Sequence, residues 1–171
     1  MQSYIKIIDT LNKGLRYFAA ILLAVMSALI VYQVLARILG QYIDMELPRW
    51  TEELARYLMI WLVFIGASLA VRYAALIGME AIAERLPVKP QKGLRIVVLL
   101  VSKVFYVVLI IYGIEMLGHV STQLSPGLKM PMAFVYAAIP AGGLFMLLNS
   151  FAVLFETMRG GASREFFKGA E

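Results

Sequence analysis

Long apolar runs separated by short polar connections dominate this chain. The runs cover residues 18–39, 54–71, 96–117 and 130–154, with Arg56 close to the start of the second. A bilayer core of about 30 Å needs about 20 helical residues to cross it. Each run reaches that length alone or with its flanks. Lipid offers no hydrogen bonds, so such segments must satisfy their backbone internally, as helices do. The pattern therefore predicts an all-α integral membrane protein with four transmembrane helices, at about 16–39, 52–73, 94–117 and 130–156. All of residues 1–171 then form a single membrane domain.

The connections are too short for a soluble domain, which weighs against an enzyme with an aqueous active site. Two of them are amphipathic and predict short helices at the membrane surface. In "IDMELPRWTEELARY" (43–57), Pro48 suits the opening of a helix and acidic groups suit its N-terminus. There Glu52 with Arg56, and Arg49 with Glu53, have the i,i+4 spacing of helical ion pairs. Trp50 suits the interfacial belt. In "IGMEAIAERLP" (77–87), Met79, Ile82 and Leu86 share one face, Glu80 and Glu84 another, and Pro87 closes the segment.

Composition agrees with the pattern: 61% of residues are hydrophobic, against roughly 45–50% in soluble domains. Charge then orients the helices. The net charge is +5, but its distribution argues for a membrane and against nucleic acid. Lys6, Lys13 and Arg16 precede the first helix. Arg72, Arg85, Lys89, Lys92 and Arg95 lie between the second and third, and Arg159, Arg164 and Lys168 follow the fourth. The other two loops carry Asp44, Glu46, Glu52 and Glu53 against Arg49, plus a lone Lys129. Basic residues collect on the cytoplasmic side, so both termini are expected inside. The first apolar run exceeds the roughly 7–15 residues of a signal-peptide core and lacks a small-x-small cleavage site. An uncleaved first helix is expected.

Chemistry-bearing residues are sparse. There is no cysteine, which excludes disulfides and thiolate chemistry. The single histidine, His119, has no further metal ligands near it in sequence. Arg37 and Glu53 fall at matching depths on neighbouring antiparallel helices, so a pair between them is expected, with snorkelling of Arg37 to lipid phosphate as the other reading. Lys103 is expected to snorkel or to meet Glu156. Pro140, followed by Gly142 and Gly143, predicts a kink in the fourth helix. No other segment mirrors it, so the inverted repeat of a self-sufficient transporter is not expected.

At this point the residues carry a resemblance. "WTEELARYLMIWLVFIGASLAVR" (50–72) resembles the signature of the small, Q-type membrane subunit of tripartite ATP-independent periplasmic (TRAP) transporters. The correspondence falls on Trp50, Thr51, Glu52, Glu53, Ala55, Arg56, Gly66 and Arg72. "IGMEAIAERLP" is similar to the family as well. It departs at Leu76, just before it, where many members have His, and at Glu80 in place of a common Asp. "PMAFVYAAIP" (131–140) matches the spacing of Pro131, Tyr136 and Pro140.

The resemblance implies a non-catalytic scaffold subunit of the bacterial inner membrane. Its implied partners are a larger M-type membrane subunit, a periplasmic substrate-binding protein and membrane lipids. The larger subunit would carry an organic acid (sialic acid or a C4-dicarboxylate) and the coupling sodium ions by an elevator motion, leaving no cofactor in this chain. Docking of the binding protein is a second implied role. Arg37, Trp50, Glu52, Glu53, Arg56, Gly66, Arg72, Tyr136 and Pro140 are the candidate structural or partner contacts. The alternative class, a stand-alone ion-coupled exporter, would be expected to carry an acid deep in a helix. A membrane enzyme would group His, Asp or Glu around one centre. Neither pattern is present in the sequence.

Overall fold

The computed structural model describes residues 2–40, 49–73 and 88–158. Five helices account for nearly all of them: α1 (Gln2–Leu39), α2 (Arg49–Tyr73), α3 (Val88–Val120), α4 (Ala133–Tyr136) and α5 (Ala138–Met158). Among the described residues, four stretches are long and apolar enough to cross a membrane: Ser3–Leu39, Trp50–Tyr73, Ile96–Val120 and Ala133–Glu156. The helices outrun the apolar runs inside them. α1 continues as one 38-residue helix through the charged stretch containing Lys6, Asp9, Lys13 and Arg16. The amphipathic approach to the second span becomes, from Arg49 onward, the first turns of α2. The segment 77–87 lies outside the described residues, as does Pro48.

The helices pack as a row. α1 lies on α2, α2 on α5 and α5 on α3, with only a minor contact between α1 and α5. α1 and α3 therefore form the two ends of the row. Each meets its neighbour along one stripe. On α1 the less exposed positions include Ile8, Asn12, Leu15, Ala19, Leu22, Met26, Leu29, Gln33 and Ala36. On α3 they include Leu99, Lys103, Tyr106, Ile110, Gly113, Leu117 and Val120. Steps of alternating four and three residues average 3.5, the spacing of a left-handed helix seam. Leu22 packs with Ile65 and Leu69 between α1 and α2. Val71, Tyr106 and Met146 join α2, α3 and α5, and Leu99 meets Val153. The remaining surfaces of α1 and α3 are apolar and exposed, for example Val31, Val34, Val101 and Val104.

Glycine and proline let α5 approach both neighbours. A Cβ on Gly142 would lie 2.7 Å from Phe64 Cβ of α2, and one on Gly143 would lie 3.0 Å from Ile110 of α3. Gly113 of α3 faces Pro140, where a Cβ would come within 2.8 Å of Cδ. Small residues at such crossings replace the water-driven packing that a bilayer lacks. Near the expected kink at Pro140, the helical bonding is interrupted one turn earlier, at Ala137 between α4 and α5, where the backbone keeps right-handed helical dihedrals (φ −60°, ψ −21°). Pro140 has no N–H for the carbonyl of Tyr136, and its ring crowds that carbonyl.

Residues 121–132 connect α3 to α4 in a tight hairpin. Ser125 N–H donates to Met130 O, Lys129 N–H to Ser125 O and Met132 N–H to Gln123 O. Lys129 adopts φ 53°, the left-handed conformation that closes the turn.

Packing at the glycines generates a prediction. Gly142→Leu forces a side chain into Phe64 and should destabilise the chain by about 1–3 kcal/mol. Gly66, with nothing within 4 Å of an added Cβ, should accept Ala with unchanged or slightly higher stability. Thermal unfolding of both variants in detergent checks the contrast; equal losses would show that α5 does not cross α2 at Gly142.

Candidate functional site

Two polar assemblies fasten the row, one at each end of α2. The first is built on Glu53. Its Oε2 accepts from the backbone N–H groups of Gly127 (2.9 Å) and Leu128 (2.8 Å), and its Oε1 from the Tyr57 hydroxyl (2.6 Å). The Ser125 hydroxyl also bonds this carboxylate. The loop is shaped to it: a Cβ on Gly127 would sit 2.5 Å from Glu53 Oε2. Nearby, Trp61 Nε1 donates to Phe134 O (3.2 Å), so a second α2 side chain holds the start of the fourth span.

This geometry corrects the expected Arg37–Glu53 pair. Arg37 Nη2 lies 3.3 Å from Glu52 Oε1 instead, with both side chains more than half exposed. The reason is competition. Glu53 points between α2 and the hairpin, where converging N–H and O–H donors are fixed by the fold. Glu52 lies on the outer side, within reach of α1. The i,i+4 pair of Glu52 with Arg56 is not formed either. Arg56 is exposed and makes no ion pair among the described residues. The side chain of Arg49 lies outside them.

At the opposite end, the Arg72 guanidinium is almost wholly buried and joins three helices. Nη1 and Nη2 bond the two oxygens of Glu156 on α5, both at 2.7 Å. Nε (3.3 Å) and Nη2 (2.9 Å) bond Asp9 Oδ1 on α1. One turn away, the buried amides of Asn12 and Asn149 bond each other at 2.7 and 3.0 Å. Asn149 Nδ2 also donates to the Ser68 carbonyl (2.8 Å). The Tyr4 hydroxyl donates to Leu148 O (3.0 Å), and its ring packs edge-on against Phe155. Residues near both ends of the described chain thus meet on one side of the row.

The remaining candidates divide. Trp50 is 44% exposed, as an interfacial anchor would be. Of the small residues on α2, Ser68 is buried and donates to Ile65 O (2.7 Å), Ala67 packs against the Tyr106 cluster, and Gly66 is open. Tyr136 is half-buried beside α2, and Pro140 packs on Gly113. Lys103 does not meet Glu156, which Arg72 occupies; its Nζ lies 4.4 Å from the Phe151 ring centroid. His119 bonds the carbonyl of Glu115 on its own helix (2.9 Å). Sequence reasoning missed Asp9, the Asn12–Asn149 pair and the Ser125–Leu128 turn as partners. Two amides on otherwise apolar seams were the available signal for the second of these.

With this geometry in place, comparison with known proteins is informative. Residues 26–160 match the family model described as tripartite ATP-independent periplasmic transporters, DctQ component. The chain belongs to this family. It is 26% identical over 163 residues to the ectoine TRAP transporter small permease protein TeaB of Halomonas elongata, covering 94% of this chain and 83% of the relative. It is 28% identical over 114 residues to the C4-dicarboxylate TRAP transporter small permease protein DctQ of Rhodobacter capsulatus, covering 66% of this chain and half of that protein. A third relative, the isethionate TRAP transporter permease protein DctMQ of Oleidesulfovibrio alaskensis, is 28% identical over 116 residues, 66% of this chain and 18% of its own length. The DctQ-component match includes Glu53, the hairpin, Arg72, Asn149 and Glu156. Asp9 and Asn12 precede it. The chain is thus a small permease subunit of a TRAP transporter, a transport component.

Variants at the two ends separate their roles. Arg72→Leu leaves two carboxylates facing each other and should cost about 3–5 kcal/mol; adding Asp9→Asn and Glu156→Gln should recover part of it. Arg37→Ala should cost no more than about 1 kcal/mol, being exposed. Arg37 and Glu53 should behave additively in a double-mutant cycle, while Arg37 and Glu52 couple weakly. Glu53→Ala should increase protease cleavage in the 121–132 hairpin. Unfolding in detergent and limited proteolysis read these outcomes; strong coupling of Arg37 to Glu53 would contradict the arrangement.

Proposed function

We propose that this chain is the fixed scaffold of a binding-protein-dependent, sodium-coupled importer, anchoring a larger M-type subunit that moves the substrate. The observation that carries the reading is the row of helices fastened at both ends of α2, with broad apolar faces left on α1 and α3. A row has no closed interior for a solute. It offers long surfaces against which a larger membrane protein can be held. The DctMQ relative, in which the matched region is a small part of a longer permease, supports a partnership with a larger membrane component.

On this reading the sodium ions and the solute bind the larger subunit, and this chain needs no cofactor. Both termini face the cytoplasm of a bacterium whose inner membrane holds the complex. The Arg72 end is then cytoplasmic, and the Glu53 end faces the periplasm and the binding protein. The solute is an organic acid of the sialic acid or C4-dicarboxylate class. The relatives carry ectoine, C4-dicarboxylate and isethionate in their names, so solute choice belongs to the other two components. Gly66, open on α2, is the contact at which a helix of the larger subunit approaches closely.

Reconstitution tests the proposal. The chain alone in proteoliposomes should transport nothing. Co-expressed with its larger subunit it should purify one-to-one and, with binding protein and a sodium gradient, support uptake. Gly66→Leu should lower complex yield without unfolding the chain. Cysteines at 3 and 168 should be shielded from an external reagent in intact cells, and one at 122 should react. Uptake by the isolated chain would favour an autonomous exporter-like carrier and overturn the scaffold reading.

A further inference from the structure

A half-enclosed crevice of about 410 Å³ lies between α2 and the segment from Pro126 to Ile139. Glu53 and Arg56 line its polar end, and Tyr57, Ile60, Phe64 and Val135 are among its apolar walls. From Glu53 to Phe64 the crevice follows α2 over eleven residue steps, about 16 Å. That is close to half of the roughly 30 Å hydrocarbon core, the depth of one leaflet.

The charges at its polar end are unevenly satisfied. Glu53 is fully engaged by Gly127, Leu128 and Tyr57. Glu52 is turned to Arg37. Glu53 is bonded only by neutral donors and Glu52 by Arg37, so among the described residues the Arg56 guanidinium makes no ion pair of its own and lies exposed at the polar end of an apolar slot. Exposed Trp50 marks this end as the interfacial level. A guanidinium suits phosphate oxygens through paired N–H donors.

We propose that this crevice binds one anionic glycerophospholipid, with its phosphate on Arg56 and an acyl chain along Ile60 and Phe64. The occupant that fits is one with an anionic head at the Arg56 end and an apolar chain of about one leaflet's depth along Ile60 and Phe64, which a phospholipid supplies. The bound lipid would fill the crevice between α2 and the 126–139 segment, so that segment would be steadied by lipid as well as by the Glu53 carboxylate.

The test uses the full chain in nanodiscs containing phosphatidylglycerol with a photoactivatable diazirine in its acyl chain. Labelled peptides are mapped by mass spectrometry, first for the chain alone and then for its complex with the larger subunit. Labelling should concentrate on 57–64 and 132–139 in both. Arg56→Gln should reduce it to the level of the exposed α3 face, Arg56→Lys should retain most of it, and Ile60→Trp should block it by filling the slot. Arg56 is exposed, so its variants should fold, as circular dichroism will verify. Labelling spread evenly over α1 and α3 and indifferent to Arg56 would overturn the proposal. So would labelling of the crevice in the isolated chain that disappears in the complex, because the slot would then seat the larger subunit.

Discussion

Arg72 joins three helices through one buried guanidinium. That group has two carboxylates on two other helices. In a low-dielectric surrounding, a charge left alone is far costlier than a charge kept in place. The ion cluster therefore fixes the relative height of α1, α2 and α5. The seams that follow depend on that register. With Arg72 level with Asp9 and Glu156, Asn12 meets Asn149, and Leu22 reaches Ile65 and Leu69. A slip of one residue would rotate each stripe by about 100° and remove these contacts together.

The four spans were legible because their signal is long, strong and periodic. Twenty-odd apolar residues in lipid have essentially one backbone solution. The family was legible from "WTEELARYLMIWLVFIGASLAVR" and the spacing of Pro131, Tyr136 and Pro140, and the match over residues 26–160 agrees. Pairing was harder. Glu52 and Glu53 are adjacent and identical, so sequence offers little to decide which meets Arg37. The decision comes from Gly127 and Leu128, whose N–H groups are brought to α2 by a hairpin far along the chain. Asp9 was hidden for a related reason: among Lys6, Lys13 and Arg16 it reads as part of a solvated basic flank. Only the continuation of α1 as a rigid helix carries it to Arg72.

Placing polar groups at the ends of the spans, with apolar seams between, suits a subunit of this family. The interior of the row is close-packed where α5 crosses its neighbours, at Gly142, Gly143 and Gly113. The broad faces stay apolar for lipid and for other components. Polar chemistry is spent on holding helices at fixed heights.

The two assemblies fasten different members. At the Arg72 end α1 is tied to α2 and α5; at the Glu53 end the turn leaving α3 is tied to α2. The outermost helices are thus restrained at opposite corners, with α2 common to both. This is the geometry of a diagonal brace. A force sliding α1 past α3 along the membrane normal cannot be absorbed within either corner. It must be carried through α2 and α5, the two helices between them, so the row resists shear as a unit while its outer faces remain available.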